Sequence, residues 1–90
     1  MENSNHYVYM LECSDGSFYM GYAKNLVKRL DEHNSSIKGA KYTRGRRPVR
    51  LVYFEQFETR SDATKREYVL RKKSRAEKID MMNVFNKKLD

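Results

Sequence analysis

The first quarter of the chain is rich in β-branched and aromatic residues, which fall in two short runs, 6–13 and 17–22. Such runs favour strands because their side chains pack well on a pleated surface. The residues between them, Ser14-Asp15-Gly16, are a strong turn signal. The pattern therefore predicts a β-hairpin.

The length of the hairpin loop decides whether Tyr9 and Tyr19 share a face, since side chains alternate faces along a strand. A two-residue loop would pair Glu12 with Tyr19 and put the two rings on opposite faces. A three-residue loop, with Gly16 in the left-handed conformation, would pair Tyr9 with Gly21 and put both phenols on one face. That arrangement would also leave an open patch at Gly21 for another backbone. The sequence leaves both alternatives open.

A helical pattern follows the hairpin over about residues 26–34. Asn25 is a suitable N-cap, because its side chain can accept a hydrogen bond from the first turn. Leu26, Val27 and Leu30 are spaced to face a core. We therefore predict an amphipathic first helix.

Residues 34–48 hold two glycines, the single proline and many cations, which is typical of a surface loop. Residues 49–57 alternate well enough to predict a third strand. Its core side carries either Val49, Leu51 and Tyr53 or the opposite set, and the sequence leaves this register open.

Two helices are predicted to end the chain. Thr59 and Ser61 are candidate N-caps of the first, which runs to about residue 73. Ser74-Arg75-Ala76-Glu77 matches a capping box, so a separate helix is predicted from 75 to about 87. The order β-β-α-β-α-α predicts an α+β fold, with a small three-stranded antiparallel sheet flanked by helices.

Composition and charge narrow the function. A chain of 90 residues has room for one modest core, so residues 1–90 are expected to form one domain. Lys and Arg outnumber Asp and Glu by 19 to 12, which gives a net charge of +7 and an isoelectric point near 9.6. Nucleic acid is therefore the leading partner. With no long apolar run or signal peptide, we expect a cytoplasmic protein without a membrane partner.

Three polar residues on the predicted helices are candidates for chemistry. Arg29 and His33 lie four residues apart, one above the other at the edge of the first helix's apolar stripe, where core meets solvent. Glu67 falls inside the inward stripe of a later helix, so its carboxylate needs a partner. That partner is either a neighbouring cation or a divalent metal ion. The single Cys13 excludes an internal disulfide, and no CxxC or HExxH pattern suggests zinc.

The segment around residues 38–50 forms a basic region without an acid. Its cations are Lys38, Lys41, Arg44, Arg46, Arg47 and Arg50. Tyr42, Thr43 and two glycines are interleaved with them and offer stacking, hydroxyl and backbone groups that suit a phosphate backbone. We therefore predict that this region contacts nucleic acid.

The spacing of the candidate residues resembles that of a known family. Tyr7-Val8-Tyr9 is followed by Tyr19-Met20-Gly21, and Tyr19 stands ten positions after Tyr9. Arg29, His33 and a helical Glu67 follow in order. Over about residues 5–75 the chain resembles the GIY-YIG nuclease domain, with Tyr7 and Val8 in place of the first motif's glycine and isoleucine and Met20 in place of the second motif's isoleucine. The stretch GAKYTRGRRPVRLVY is similar to that of small stand-alone bacterial members.

The resemblance implies a role for each matching residue. Tyr9 would be the general base or its hydrogen-bonding stand-in, and Tyr19 would position the attacking water or the scissile phosphate. Arg29 would neutralise charge on the phosphoryl oxygens, and His33 would assist proton transfer or hold a phosphate. Glu67 would bind one Mg²⁺ or Mn²⁺ ion.

The resemblance also implies a function and a set of nucleic-acid contacts. The chain would be a metal-dependent endonuclease acting on DNA, with RNA left open, in DNA repair or on branched forms. The alternative is a nucleic-acid-binding module with little or no catalysis. Specificity would come from DNA structure, a homodimer or a partner protein. The expected nucleic-acid contacts are Gly21, Lys24, Lys41, Tyr42, Thr43, Arg44, Arg46 and Arg47.

Overall fold

The computed structural model describes residues 5–89, which form three strands and four helices. The elements are β1 (His6–Glu12), β2 (Phe18–Ala23), α1 (Leu26–Ser35), α2 (Lys41–Arg44), β3 (Arg50–Phe57), α3 (Arg60–Arg71) and α4 (Arg75–Leu89). The sheet is antiparallel in the order β2-β1-β3. The predicted α+β class and sheet are confirmed. The short helix α2 lies in the segment predicted to be a loop, because four residues are too few for a periodic signal.

The hairpin has the three-residue loop. Gly16 adopts a left-handed φ of +84°, and the Cys13 amide donates to the Ser17 carbonyl at 2.8 Å. Tyr9 therefore pairs with Gly21, and Leu11 pairs with Tyr19. Both phenols lie on one face of the sheet, which settles the alternative that the sequence left open.

Both faces of the sheet are covered, and each has its own core cluster. Val8 and Met10 of β1 point to the face on which α3 packs, together with Leu70. Tyr9 and Leu11 point to the opposite face, together with Leu26 and Leu30 of α1 and with three further residues. Those are Cys13, Ala23 and Val49.

A β-bulge in β3 changes which face of the sheet its side chains point to. The pairing shifts so that Met10 opposes Tyr53 while Leu11 opposes Leu51, which leaves Val52 as the extra residue. Leu51 packs on the α1 face, whereas Val52 and Tyr53 pack on the α3 face. The prediction of strict alternation was wrong for this strand, because each side chain after the bulge points to the face opposite to the one that alternation predicts.

The first helix begins where predicted, but its apolar stripe differs. The Asn25 side chain accepts a hydrogen bond from the Lys28 amide at 3.0 Å, which confirms the cap. Val27 is 81% exposed, so its predicted core position is wrong. The inward stripe runs through Leu26 and Leu30 to His33, which is fully buried. These positions are four and three residues apart and therefore lie on one side of a helix.

The two C-terminal helices are capped as the sequence indicates. Thr59, rather than Ser61, caps α3 by accepting from the Asp62 amide at 3.1 Å, and the helix ends at Arg71, two residues earlier than predicted. The Ser74 amide donates to Glu77 at 2.8 Å and the Glu77 amide to the Ser74 hydroxyl at 3.2 Å, which confirms the capping box. Within residues 5–89, no helix has the length and apolar character needed to cross a membrane.

Candidate active site

A chain of buried hydrogen bonds joins β1 to α1 and α2. The Tyr9 phenol oxygen lies 2.7 Å from Nε2 of His33, and Nδ1 of His33 lies 2.8 Å from the Thr43 hydroxyl oxygen. The Thr43 hydroxyl donates to the Ala40 carbonyl at 2.9 Å. His33 and Thr43 are fully buried and Tyr9 is 2% exposed, so water does not compete for these bonds.

Aromatic rings connect this chain to the surface. The Tyr19 ring centroid lies 5.2 Å from that of His33 and 6.5 Å from that of Tyr9. Tyr42 stacks on Tyr19 with their centroids 6.0 Å apart, and the Arg46 guanidinium carbon lies 3.8 Å from the Tyr42 centroid. Together these side chains form a continuous row of contacts from the exposed Tyr42 and the partly exposed Arg46 to the buried imidazole, which Tyr19 meets edge to face.

Gly21 makes room for Tyr9 itself rather than for another molecule. A Cβ added at Gly21 would overlap the phenol oxygen and the adjoining ring carbon of Tyr9. Gly21 is also buried. The open patch expected above Gly21 is therefore filled by the Tyr9 ring, and the prediction that a nucleic-acid backbone approaches there is replaced by this internal fit.

Arg29 and His33 lie on α1 in different environments. Arg29 donates to Glu32 Oε1 and to the Lys38 carbonyl, both at 2.8 Å, and it is close enough to Tyr9 to lower the pKa of the phenol. His33 is fully buried, which corrects its predicted position at the boundary with solvent. The reason is that the predicted boundary ignored α2, whose Thr43 covers the side of α1 that carries His33.

Glu67 approaches the same group from α3. Its side chain is 16% exposed and forms an ion pair with Arg71 at 2.5 Å, while Arg71 also donates to the Met20 carbonyl at 3.3 Å. The negative charge of Glu67 is close enough to raise the pKa of Tyr9. Of the two partners that the sequence left open, the structure therefore shows the cation.

The donor set around Glu67 suits a hydrated hard ion. Among residues 5–89, no three His, Cys, Asp or Glu side chains form a group able to hold a metal. Mg²⁺ ordinarily binds through one or two carboxylates and completes its shell with water and substrate phosphate oxygens. A single partly buried carboxylate is therefore compatible with Mg²⁺ or Mn²⁺, provided that Arg71 shares it.

Burial keeps both members of the central pair neutral. It raises the pKa of Tyr9 to about 12, with the nearby Tyr19 adding to the effect and Arg29 opposing it. Burial also lowers the pKa of His33 to about 4, helped by the charge of Arg29. At neutral pH the site thus holds a phenol beside an uncharged imidazole.

The residues that converge here lie within a recognisable domain. Residues 5–80 match the family model of the GIY-YIG catalytic domain. The chain belongs to the GIY-YIG family. The resemblance noted in the sequence is thereby confirmed, and membership places the chain in a nuclease family.

The relatives of this GIY-YIG chain are small bacterial proteins of the UPF0213 group. One from Staphylococcus saprophyticus is 51% identical over 78 residues, which cover 87% of this chain and 94% of that protein. The solution NMR structure of a UPF0213 protein from Bacillus halodurans has a TM-score of 0.56 at 46% identity and covers 88% of this chain and 83% of the other. That of a protein from E. faecalis has a TM-score of 0.61 at 49% identity and covers 96% and 92%.

The basic region of this GIY-YIG chain divides into internal and external side chains. Thr43 is buried against His33, so the predicted phosphate contact is replaced by an internal hydrogen bond. Arg47 donates to the carbonyls of His33 at 2.6 Å and Ser36 at 2.5 Å and so pairs carbonyls at the C-terminal end of α1. The side chains of this region that remain exposed are Lys38, Lys41, Tyr42, Arg44 and Arg50, and Lys24, which follows β2, is exposed as well.

Arg46 is partly exposed and joins the basic region to the hairpin. Its guanidinium pairs with Asp15 at 3.0 Å, and its carbonyl accepts from the Ser14 amide at 3.0 Å. The side chain also donates to the Tyr42 carbonyl at 2.8 Å. A nucleic-acid contact by Arg46 would therefore compete with bonds that hold α2 beside the hairpin loop.

Two positioning residues of the GIY-YIG site have roles that the sequence did not predict: Arg47 was expected to contact nucleic acid, and Asn34 was not among the candidate residues. Arg47 supplies donors to carbonyls that the last turn of α1 leaves unpaired. Asn34 exchanges two hydrogen bonds with the Val49 main chain, at 2.7 and 2.9 Å, and so fixes α1 to the entrance of β3. Both bonds join residues more than ten positions apart, and the sequence carries no local signal for them.

Proposed function

We propose that this chain is a metal-dependent endonuclease that hydrolyses phosphodiester bonds in DNA. The observation that carries the proposal is the convergence of five side chains from four elements at one site, which contains the buried Tyr9 phenol. They are Tyr9, Tyr19, Arg29, His33 and Glu67. A shared fold alone does not require this convergence, since only Tyr9 and His33 among them are fully packed in the core.

The proposed roles follow from the needs of the reaction. An attacking water must lose a proton, and the charge that develops on the phosphoryl oxygens must be neutralised. Tyr9 and His33 are hydrogen-bonded and can carry that proton into the core. Arg29 lies beside the phenol and supplies positive charge, while Tyr19 forms the adjoining wall and orients the water or phosphate.

Glu67 is the residue that would hold the Mg²⁺ or Mn²⁺ ion. When bound, such an ion stabilises the leaving oxygen and the charged phosphate as a Lewis acid. Arg71 now neutralises Glu67, so it would have to share the carboxylate or turn towards the phosphate. We propose that the protein acts in the bacterial cytoplasm and recognises DNA structure rather than base sequence.

The exposed cations support the proposed substrate. Lys24, Lys41 and Arg44 are exposed and lie on segments that border the site. Charges of this kind bind phosphate by releasing counterions, so affinity should fall steeply as salt rises. Binding that does not change with salt would remove this support.

The test measures cleavage of single-stranded, duplex and branched DNA with Mg²⁺, Mn²⁺ or EDTA. Glu67→Gln keeps the size of the side chain but removes its charge, and Arg29→Met removes the cation. Both variants should lose cleavage while keeping a folded circular dichroism spectrum. Glu58→Gln, on an exposed turn, is the matched control and should cleave normally. No cleavage of any substrate, or full cleavage by both variants, would contradict the proposal.

The ion pair between Glu67 and Arg71 favours a second candidate function. A carboxylate committed to a neighbouring guanidinium is what a nucleic-acid-binding module without catalysis would show. Such a module would bind DNA in a salt-dependent way in the assays above and leave it intact with every metal.

A further inference from the structure

The buried hydroxyl of Thr43 has one hydrogen, and the structure shows where it goes. It donates to the Ala40 carbonyl, which can only accept. The same oxygen lies 2.8 Å from Nδ1 of His33. Since the hydroxyl hydrogen is engaged elsewhere, the hydrogen between Thr43 and His33 must belong to Nδ1.

The direction of the second bond follows from the first. With its hydrogen on Nδ1, the uncharged imidazole has no hydrogen on Nε2, so this nitrogen can only accept. The phenol hydrogen of Tyr9 is therefore the hydrogen of the bond between Tyr9 and His33. Nε2 of His33, 2.7 Å away, is the acceptor that the structure offers. Among residues 5–89, no buried side-chain nitrogen or oxygen lacks a hydrogen-bond partner.

We propose that Thr43 is a positioning residue that holds His33 in the Nδ1–H tautomer, so that its bare Nε2 faces Tyr9. Without the Thr43 acceptor, the imidazole could carry its hydrogen on Nε2 and present it to the phenol oxygen. Tyr9 would then have no acceptor for its own hydrogen. The Ala40 carbonyl at one end thus sets the direction of the three hydrogen bonds.

This assignment specifies the proton path of the proposed nuclease, and this step rests on the proposed function. As water attacks phosphorus, a lone pair of its oxygen forms the new P–O bond, while the P–O bond to the leaving sugar oxygen breaks. The leaving oxygen keeps the electron pair of that bond and takes a proton from solvent. One O–H bond of the attacking water breaks, and its electron pair stays on the oxygen. The Tyr9 oxygen takes the released proton, while the original phenol proton passes to Nε2 of His33. The imidazole becomes a cation with a hydrogen on each nitrogen, and Tyr9 remains a neutral phenol throughout.

The experiment reads the tautomer directly by ¹⁵N NMR of the histidine rings. Protonated and bare ring nitrogens have well-separated shifts, and the assay requires neither metal nor DNA. In the wild-type protein, Nδ1 of His33 should be protonated and Nε2 bare. Thr43→Ser, which keeps the hydroxyl, should retain this pattern, whereas Thr43→Val should move the hydrogen wholly or partly to Nε2. His6, which contacts Tyr22 instead, serves as the internal control and should not change.

Three outcomes would overturn the proposal: a wild-type His33 protonated at Nε2, an unchanged tautomer in Thr43→Val, or a changed one in Thr43→Ser. If Thr43→Val does not fold, Thr43→Ala is the second hydroxyl-free variant and the wild-type tautomer still decides. In cleavage assays, Thr43→Val should be slower by at least about tenfold, because proton transfer typically contributes roughly 10²- to 10⁴-fold. Absence of cleavage in the wild type would contradict the proposed function and leave the tautomer result standing.

Discussion

His33 should make the stability of the protein depend on pH in a way that can be isolated. Its pKa is lowered from 6.5 to about 4, by burial first and then by the charge of Arg29. The neighbouring groups are the phenols of Tyr9 and Tyr19, together with Glu32 and Arg47 near the end of α1. Replacing His33 by Gln removes the titrating ring but keeps an amide that can donate and accept.

The direction of this pH dependence follows from proton binding by His33 in the folded and unfolded states. Between pH 6.5 and about 4, the unfolded chain holds a proton on His33 and the folded protein does not. Acidification therefore favours unfolding in this range. The stabilisation is fully present above pH 6.5 and is lost as the pH falls to about 4. At about 1.4 kcal/mol for each pKa unit, the loss amounts to about 3 kcal/mol.

The measurement is urea denaturation of wild-type and His33→Gln proteins over this pH range at constant ionic strength. Carboxylates titrate in both proteins, so the difference between the two free energies of unfolding isolates His33. We expect that difference to shrink by about 3 kcal/mol on acidification. His6→Gln is the matched control and should follow the wild type. Parallel curves for wild type and His33→Gln would refute the reasoning.

Two further substitutions test the packing around the site. Gly21→Ala should cost about 1–3 kcal/mol, because the new Cβ overlaps the buried Tyr9 ring; thermal denaturation measures this, and an unchanged melting temperature would contradict it. Arg47→Met should cost about 1–3 kcal/mol by leaving carbonyls at the end of α1 unpaired. The exposed Arg44→Met should cost almost nothing, so equal losses in the two Arg variants would argue against the assigned cap.

Local patterns predicted the elements whose causes are local. The caps at Asn25 and Thr59 and the Ser74–Glu77 box act within three residues, and the structure contains all of them. The number of strands and their antiparallel arrangement also follow from the strand pattern, whereas the spatial order β2-β1-β3 was not predicted. By contrast, the length of the hairpin loop could not be predicted, because both lengths suit Ser14-Asp15-Gly16. A difference of one residue moves every side chain of one strand to the other face of the sheet.

The parts that failed depend on contacts distant along the chain. Val27 is apolar and was predicted to face the core. The side of α1 that faces inward carries Leu26, Leu30 and His33 instead, and Val27 is therefore exposed. Arg47 has a side chain that suits phosphate binding, but in the fold it donates to a carbonyl at the C-terminal end of α1. The charge and hydropathy of a side chain limit the contacts that it can make, and the tertiary structure determines which of those contacts form.

The residues that carry the resemblance were found by spacing, and the structure brings them together. Tyr9 and His33 are hydrogen-bonded, and both Arg29 and Glu67 are close enough to affect the pKa of Tyr9, Glu67 from the helix on the other side of the sheet. Their partner Thr43 was named for a different reason, as a surface hydroxyl. Its burial could not be foreseen, because α2 is too short to leave a periodic pattern.

The fit of Tyr9 against Gly21 changes how the two family motifs should be understood. They are separated along the chain, but the ring of the first occupies the volume that a side chain in the second would need. The two positions are therefore not independent pieces of information. A tyrosine at one and a glycine at the other express a single steric requirement, and a chain that alters either should be expected to alter both.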